Sequence, residues 1–231
     1  MRIKQLYSKF GHHFADAIAK KYNLTLNNTS VKMDEPLFMF GCYNEKDIWH
    51  ALHHQAGGHL TIICWAGSDA INLKNLSGVF NHFPRIKHIA ISEWIAADLT
   101  MQVLPYYLIP ITPHDYSDIK PEPLGDSIYM YKPNTALYNG GIYQKVKEAL
   151  PYKFIEANWG DYTREGMMEV YKKCFIGLRF TEHDGLSNTV CEMGMMGRMV
   201  NNNGDVPNCI HFDKDNLDEI IKVIDFEYKY F

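Results

Sequence analysis

Short apolar segments alternate with helix-forming segments along almost the whole chain, and this alternation limits the possible folds more than any other feature. The apolar segments at 60–65 and 127–131 are nearly continuous, as is typical of strands buried on both faces. The segment 13–22 is rich in alanine and lysine, which favours a helix. Strands that alternate with helices form parallel, doubly wound sheets, so the sequence predicts an α/β fold.

Two runs of this alternation are separated by a proline-rich segment. Predicted strands lie at 3–7, 37–43, 60–65, 88–92 and 106–111, and then at 127–131, 153–157, 175–180 and from 198 onward. Predicted helices lie at 13–22, 45–54 and 93–104, and then at 142–150, 163–174, from 188 onward and at 216–230. The segment between the runs, 113–123, contains three prolines among polar residues. We therefore predict two Rossmann-like domains, 1–112 and 124–231, joined by the linker 113–123, with a ligand cleft between them.

The composition excludes several classes of protein. The chain of 231 residues has a net charge of −4, so no overall positive field favours nucleic acid or an anionic membrane. No apolar segment approaches the roughly 20 residues that a membrane-spanning helix needs, and the N-terminus does not resemble a signal peptide. The five cysteines are scattered, lack zinc-ligand spacing and resemble reduced core residues. These features predict a cytoplasmic protein with no transmembrane segment.

The segment 179–200 contains the best candidate for a binding site. An apolar strand is followed by a polar turn with Gly185, and a short helix then begins at Ser187, Asn188 and Thr189. The unpaired N–H groups and the positive dipole end of such a helix suit a pyrophosphate. Simple N-capping by Ser187 or Asn188 is the alternative explanation of these residues.

Glu192 lies four residues after Asn188, so both lie on one face of the helix near its N-terminus. Its carboxylate is able to accept hydrogen bonds from two ribose hydroxyls, whereas the alternative is a glutamate that faces solvent. Its neighbours are apolar, namely Val190, Met193, Met195 and Met196. An unpaired acid would be costly to bury among them. The pattern predicts a site for a nucleoside diphosphate in which this carboxylate is shielded from bulk water.

The same residues resemble the donor-binding motif of retaining glycosyltransferases with the GT-B fold. In that family an acid, a glycine-containing turn and a second acid eight residues after the first precede a helix and a short strand. Asp184 and Glu192 have this spacing, and Glu182 is an alternative first acid. The variant in this chain is similar to a subgroup that is associated with capsule and surface-glycan synthesis and also occurs in viruses. A chain of 231 residues is short for the fold, so the resemblance implies a compact form.

The resemblance implies a role for each residue of the motif. Asp184 or Glu182 would bind sugar hydroxyls and position the donor, while Arg179 and Lys132 would neutralise the leaving diphosphate. Gly140 lies in an Asn-Gly-Gly sequence that resembles the first turn of the family's donor domain. The other residues expected to bind the donor lie in the turn and at the start of the helix: His183, Gly185, Ser187, Asn188 and Thr189.

Several residues outside the motif are weaker candidates. Asp69 follows a Gly-Ser turn at a strand end and is expected to face the cleft and to bind the acceptor. Gly11 follows the first strand in a similar turn, and Trp159 either stacks on a nucleobase or packs in the core. The acids at 213 and 215 have the spacing of a metal-binding pair, but helix capping explains them better. Most histidines are predicted to be structural, and no metal site is predicted.

The leading hypothesis is a glycosyltransferase that moves a sugar from a UDP- or GDP-sugar to an acceptor hydroxyl. The family resemblance implies retention of the anomeric configuration and no metal or other cofactor. A glycan is the default acceptor, while a lipid, a protein or a modified DNA base remains open, and the site of action would be the host cytoplasm if the source is viral. One alternative is a nucleotide-sugar epimerase, which needs an acid/base pair that the sequence does not supply clearly. Another is a non-catalytic subunit that binds sugar nucleotides.

Overall fold

The structure is a computed structural model, and it divides the chain into two compact units. The residues that it describes are 3–9, 12–112, 114, 116–131, 140–157, 160–181, 183–202, 209–211 and 217–230. The first unit comprises Met1–Asp115 together with Asp184–Leu186, and the second comprises Tyr116–His183 and Ser187–Phe231. The boundary after residue 115 falls within the predicted linker, whereas no local pattern indicated that residues 184–186 belong to the first unit.

The first unit is built around a six-stranded parallel sheet with the order β2-β1-β3-β4-β5-β6. Its elements are β1 (Gln5–Tyr7), α1 (His12–Tyr22), β2 (Thr25–Asn27), β3 (Leu37–Phe40), α2 (Glu45–Ala56), β4 (Thr61–Trp65), a 3₁₀ helix (Ser68–Asn75), α3 (Ser77–Phe80), β5 (Ile86–Ala90), α4 (Glu93–Met101) and β6 (Tyr106–Leu108). Side chains that accept backbone N–H bonds define two of the helix starts, Asn44 before α2 and Ser92 before α4.

The second unit is built around a five-stranded parallel sheet with the order β11-β10-β9-β7-β8. Its elements are β7 (Ser127–Tyr131), α5 (Gly140–Ala149), β8 (Lys153–Ala157), α6 (Arg164–Lys172), β9 (Cys174–Arg179), α7 (Asn188–Met195), β10 (Met199–Asn202), β11 (Cys209–His211) and α8 (Leu217–Tyr230). Helix α6 begins at the predicted cap, because the Oγ1 atom of Thr163 accepts the backbone N–H of Gly166 at 3.2 Å.

Side chains of the second sheet alternate between two apolar cores. On β7, Ile128 and Met130 pack with side chains of α5 and α8, whereas Tyr129 packs with side chains of α6 and α7. Successive residues of a strand point to opposite faces, so helices cover both faces of this sheet. The predicted α/β architecture with two parallel, Rossmann-like sheets is therefore confirmed.

Both sheets share a strand order that determines where ligands bind in such folds. In each unit the second strand lies outside the first, and the later strands extend the sheet from the other side. Counted within each unit, this gives the order 2-1-3-4-5-6 in the first and 2-1-3-4-5 in the second. Ligands of doubly wound sheets bind beyond the carboxyl ends of the strands at the point where this order reverses. That point lies between β1 and β3 in the first unit and between β7 and β9 in the second.

Three parts of the fold differ from the sequence prediction. Strands β2 and β11 were not predicted, because three residues are too few to show a hydrophobic period. The helical segment at 68–80 was not predicted either. The second half of the predicted linker is held in place by Arg198, whose buried guanidinium donates to the carbonyl oxygens of Glu122 and Pro123. Within the described residues, no helix has the length and apolar character needed to cross a membrane.

Candidate functional site

The start of α7 in the second unit has little side-chain capping. Ser187 occupies the N-cap position with extended backbone, but its own side chain makes no capping hydrogen bond. The first backbone N–H of α7 bonded within the helix is that of Cys191, which donates to the carbonyl oxygen of Ser187 at 3.1 Å. The capping explanation offered for Ser187 therefore does not apply to its side chain, and the first N–H groups of a helix are donors suited to an anion.

Glu192 lies one helical turn after this N-terminus, and its carboxylate is buried. The residue is 4% exposed, so the alternative of a solvent-facing glutamate does not hold. Its Oε1 atom accepts a hydrogen bond from Nε of Arg164, the first residue of α6, at 3.2 Å. Burial raises the pKa of Glu192 from its ordinary 4.5 to about 7, while the neighbouring Arg164 guanidinium acts in the opposite direction. Glu192 is therefore an acid that changes its charge near neutral pH.

Arg164 links Glu192 to a second acid. Its two terminal nitrogens donate to the two carboxylate oxygens of Asp118, with distances of 3.1 Å from Nη1 and 3.3 Å from Nη2. Forked pairs of this kind hold a guanidinium in one orientation. Asp118 thus orients Arg164, and Arg164 holds the buried carboxylate of Glu192.

The segment that carries Asp118 also contacts the start of α7. The hydroxyl of Tyr116 donates to Oδ1 of Asn188 at 2.7 Å. Thr189, the next residue, is buried and accepts a hydrogen bond from the hydroxyl of Tyr171 on α6 at 3.3 Å. Contacts from Tyr116 and from α6 therefore fix the first turn of α7. Asn188 and Thr189, both predicted to bind the donor, each use one side-chain oxygen in these contacts.

Arg179 lies where the second sheet predicts a ligand. It ends β9, and its guanidinium lies over the ring of Tyr131, the last residue of β7, at 5.0 Å from the ring centre. These are the two strands between which the strand order reverses. A half-buried cation at the carboxyl ends of β7 and β9 is suitably placed for an anionic ligand.

The first acid of the motif belongs to the other unit. Asp184 is buried, and its Oδ1 atom accepts the N–H of Gly185 at 3.0 Å, while Leu186 packs against the apolar core of the first unit. A Cβ atom at Gly185 would lie 2.1 Å from the carbonyl oxygen of Ala66. Position 185 therefore requires glycine, because its backbone lies close to that of Ala66 at the end of β4. No pattern in the sequence predicted this contact.

Asp69 has a different environment from the one expected. It is fully buried, and its carboxylate accepts the backbone N–H groups of Cys42 at 3.1 Å, Ala66 at 3.1 Å and Gly67 at 2.8 Å. Burial raises its pKa from 3.8 to about 6, and these hydrogen bonds lower it. Asp69 thus joins the loops that follow β3 and β4, and it does not present its carboxylate to an acceptor.

The remaining candidates are placed less fully. The Oγ1 atom of Thr181 donates to the carbonyl oxygen of His183 at 2.8 Å, which shapes the turn before α7. Gly140 is the first residue of α5, the helix that follows β7. Six of the predicted positions lie outside the described residues: Gly11, Lys132, Trp159, Glu182 and the acids at 213 and 215.

Sequence reasoning missed three contributors to the site: Tyr116, Asp118 and Arg164. The first two fall in the segment predicted as a linker. The position of Arg164 could have indicated a role. A cation in the first turn of a helix is unfavourable next to the positive end of the helix dipole, so it suggests a nearby acid as partner. Among the residues that the structure describes, no cluster of three or more potential ligands is able to hold a metal ion.

Comparison of the sequence with models of known protein families gave no match, and comparison with characterised proteins gave no significant match.

Proposed function

We propose that the second unit binds a nucleoside diphosphate sugar and that the protein is a retaining, metal-independent glycosyltransferase of the GT-B type. The observation that carries the proposal is Glu192, a buried and titratable carboxylate one turn inside a helix whose first N–H groups are not capped by Ser187. A ribose diphosphate is complementary to both features, because its hydroxyls donate hydrogen bonds and its phosphates accept them.

The diphosphate has two sources of stabilisation in this unit. The N–H groups at the start of α7 offer hydrogen bonds and a positive dipole end. Arg179 adds a cation at the reversal of strand order, held against Tyr131. Both interactions strengthen as negative charge develops on the departing diphosphate, which is how fixed donors accelerate a reaction.

The proposed transfer requires no further cofactor. The bond between the sugar's anomeric carbon and the diphosphate oxygen breaks, and the electron pair stays on the diphosphate. The acceptor hydroxyl forms the new glycosidic bond on the same face of the sugar, and its proton passes to the departing phosphate oxygen. The chain's own residues then have to bind, orient and neutralise, and Glu192 does the first two by accepting bonds from the ribose.

A ligand-stabilisation screen with one matched variant tests the proposal. Melting temperatures are measured with a panel of UDP- and GDP-sugars, and a bound sugar nucleotide stabilises the folded chain by about 2.7 kcal/mol at a concentration 100-fold above its dissociation constant. Glu192→Gln should abolish the shift, whereas Glu148→Gln, an exposed glutamate on α5, should keep it. Equal shifts for both variants and the wild-type protein would refute the role of Glu192.

The reaction itself is tested by supplying the bound sugar nucleotide with and without an acceptor pool. A transferase releases the nucleoside diphosphate faster when acceptor glycans are present. Conversion of the sugar nucleotide alone to an isomer would identify an epimerase instead. Binding without release under any acceptor condition would identify a non-catalytic subunit.

A further inference from the structure

The exposed edge of the first sheet carries a continuous apolar strip that the proposed function does not use. The strip consists of the end of α4, the following turn and strand β6 with its next residue: Met101, Val103, Tyr107, Leu108 and Ile109. Their exposed fractions range from 43% for Leu108 and Ile109 to 80% for Val103. No charged residue occurs between positions 99 and 113. Large apolar patches on a folded protein mark interaction sites.

Strand β6 also has an open hydrogen-bonding edge. Among the residues that the structure describes, it pairs with β5 on one side only, and the N–H of Ile109 donates to the carbonyl oxygen of Ala90 at 2.9 Å. In a parallel strand, alternate residues direct both backbone groups to the same side. Tyr107 and Ile109 therefore face β5, while the N–H and C=O groups of Tyr106 and Leu108 point away from the sheet.

Proteins normally protect such an edge, and the other edges with described side chains are protected. Edge strand β2 of the same sheet is polar, with Thr25 and Asn27, and edge strand β8 of the second unit carries Lys153 and Glu156. Charged and polar residues on edge strands prevent pairing with another chain. Strand β6 carries no charged residue, so its edge lacks the protection by charge that β8 has.

We propose that β6 is a dimer interface in which the strand pairs antiparallel with β6 of a second copy of this chain. A two-fold axis through Tyr107 places each Tyr106 opposite Leu108 of the partner, and these are the residues whose backbone groups point outward. Each such pair exchanges two N–H···O=C bonds. Pro110 is the next outward-facing position and has no N–H, so the ladder ends there.

The apolar strip is large enough for this arrangement. Multiplying the exposed fractions by typical residue areas gives roughly 500 Å² per copy, or roughly 1,000 Å² for two, which is the lower limit for a specific interface. The same strip on both copies meets itself across a two-fold axis, as an isologous interface requires. The two six-stranded sheets would then form one continuous sheet.

The first test measures association directly. Sedimentation of the wild-type chain at concentrations up to about 100 µM should show a reversible dimer, because an interface of this size belongs to the weak, transient class that forms at high protein concentration. Leu108→Pro removes an outward-facing N–H without removing a bond to β5, and Leu108→Lys adds a charge to the strip. Each should weaken dimerisation at least tenfold, whereas Val79→Lys, a half-exposed apolar position on α3, should not. A wild-type chain that stays monomeric would overturn the proposal and leave the strip to another partner.

The second test fixes the register and does not depend on the proline variant folding. The two Tyr107 residues form a non-hydrogen-bonded pair across the axis, where Cα atoms are about 4.5 Å apart, within the range of a disulfide. Under mild oxidation Tyr107→Cys should form a covalent dimer, and Val103→Cys, exposed but outside the paired segment, should form far less, as should the wild-type chain. Equal cross-linking of the two variants would contradict the register. Because none of these residues belongs to the second unit, either outcome is separate from the proposed glycosyl transfer.

Discussion

The two units each bury an acid in a segment that follows the carboxyl end of a strand, but different groups donate hydrogen bonds to the two acids. Asp69 in the first unit receives three backbone N–H groups and is fully buried. Glu192 in the second unit is held by one side chain, Arg164, through a single oxygen. Both acids have a raised pKa because burial disfavours the charged form.

The difference is what we expect between an acid that only joins loops and one that binds the proposed ligand. Main-chain donors are fixed by the loops that carry them, so Asp69 ties those loops together and has little capacity left. Glu192 is held instead by the side chain of Arg164 on a neighbouring helix, which reaches only its Oε1 atom, so the described residues leave the second carboxylate oxygen for another donor. A raised pKa alone does not distinguish the two roles; the nature of the hydrogen-bond donors does.

The largest expected effect is on activity, from Glu192→Gln. The variant keeps the shape of the side chain but loses the negative charge, and we expect transfer to fall about 1,000-fold, or about 4 kcal/mol of transition-state stabilisation. Steady-state release of nucleoside diphosphate measures this effect. Wild-type turnover in this variant would contradict a ligand-binding role for Glu192 and leave it a structural acid like Asp69.

The next effect is on stability, from Asp69→Ala. The substitution leaves the buried N–H groups of Cys42, Ala66 and Gly67 without an acceptor, and we expect a loss of about 3 kcal/mol in the free energy of unfolding. Urea denaturation measures it, with Asp161→Ala at an exposed position as the control. A loss below about 1 kcal/mol would show that water replaces the carboxylate.

The free energy of unfolding should depend on pH because Glu192 is buried, and this dependence tests its raised pKa. The pKa of Glu192 is higher in the folded chain, about 7, than its ordinary 4.5. The folded chain therefore binds the proton more tightly, so the contribution to stability is full below pH 4.5 and is lost as the pH rises through 7. We expect the stability of the wild-type chain relative to Glu192→Gln to fall by about 2 kcal/mol between pH 5 and pH 8. Urea denaturation at several pH values measures it, and a constant difference would contradict the raised pKa.

A smaller effect is expected from Arg164→Met. The guanidinium lowers the pKa of Glu192, so its removal should raise that pKa further and shift the pH profile of nucleotide binding toward alkaline pH. At neutral pH we expect about tenfold weaker binding, equivalent to about 1.4 kcal/mol. Arg164→Lys keeps the charge and should restore part of the profile. Weaker binding with an unchanged profile would limit Arg164 to a packing role.

The smallest effect is expected from Asp118→Asn. Its side chain is 63% exposed, so solvent screens its interaction with Arg164, and we expect nucleotide affinity to change by threefold or less, about 0.5 kcal/mol. Isothermal titration calorimetry at low and high salt measures it. An effect as large as that of Arg164→Met would show that Asp118 is part of the binding site itself.

Several features of the fold were predictable because they depend on neighbours in the chain. The continuous apolar segment of β7, the Thr163 cap of α6 and the polar turn before α7 all act over a few residues. Glu192 was recognisable for the same reason, since an acid within an apolar helix requires a partner. The identity of that partner was not predictable, because Arg164 lies 28 positions away in the sequence.

The sequence by itself determined the alternation of strands and helices, the parallel character of both sheets and the start of α7, because hydrophobic period and capping are local properties. Only the tertiary structure decided that Gly185 is needed for its approach to Ala66, that Asp69 binds backbone groups and that the segment at 116–118 reaches α6 and α7. These outcomes depend on contacts between residues far apart in the chain, and no local pattern specifies which distant groups will meet.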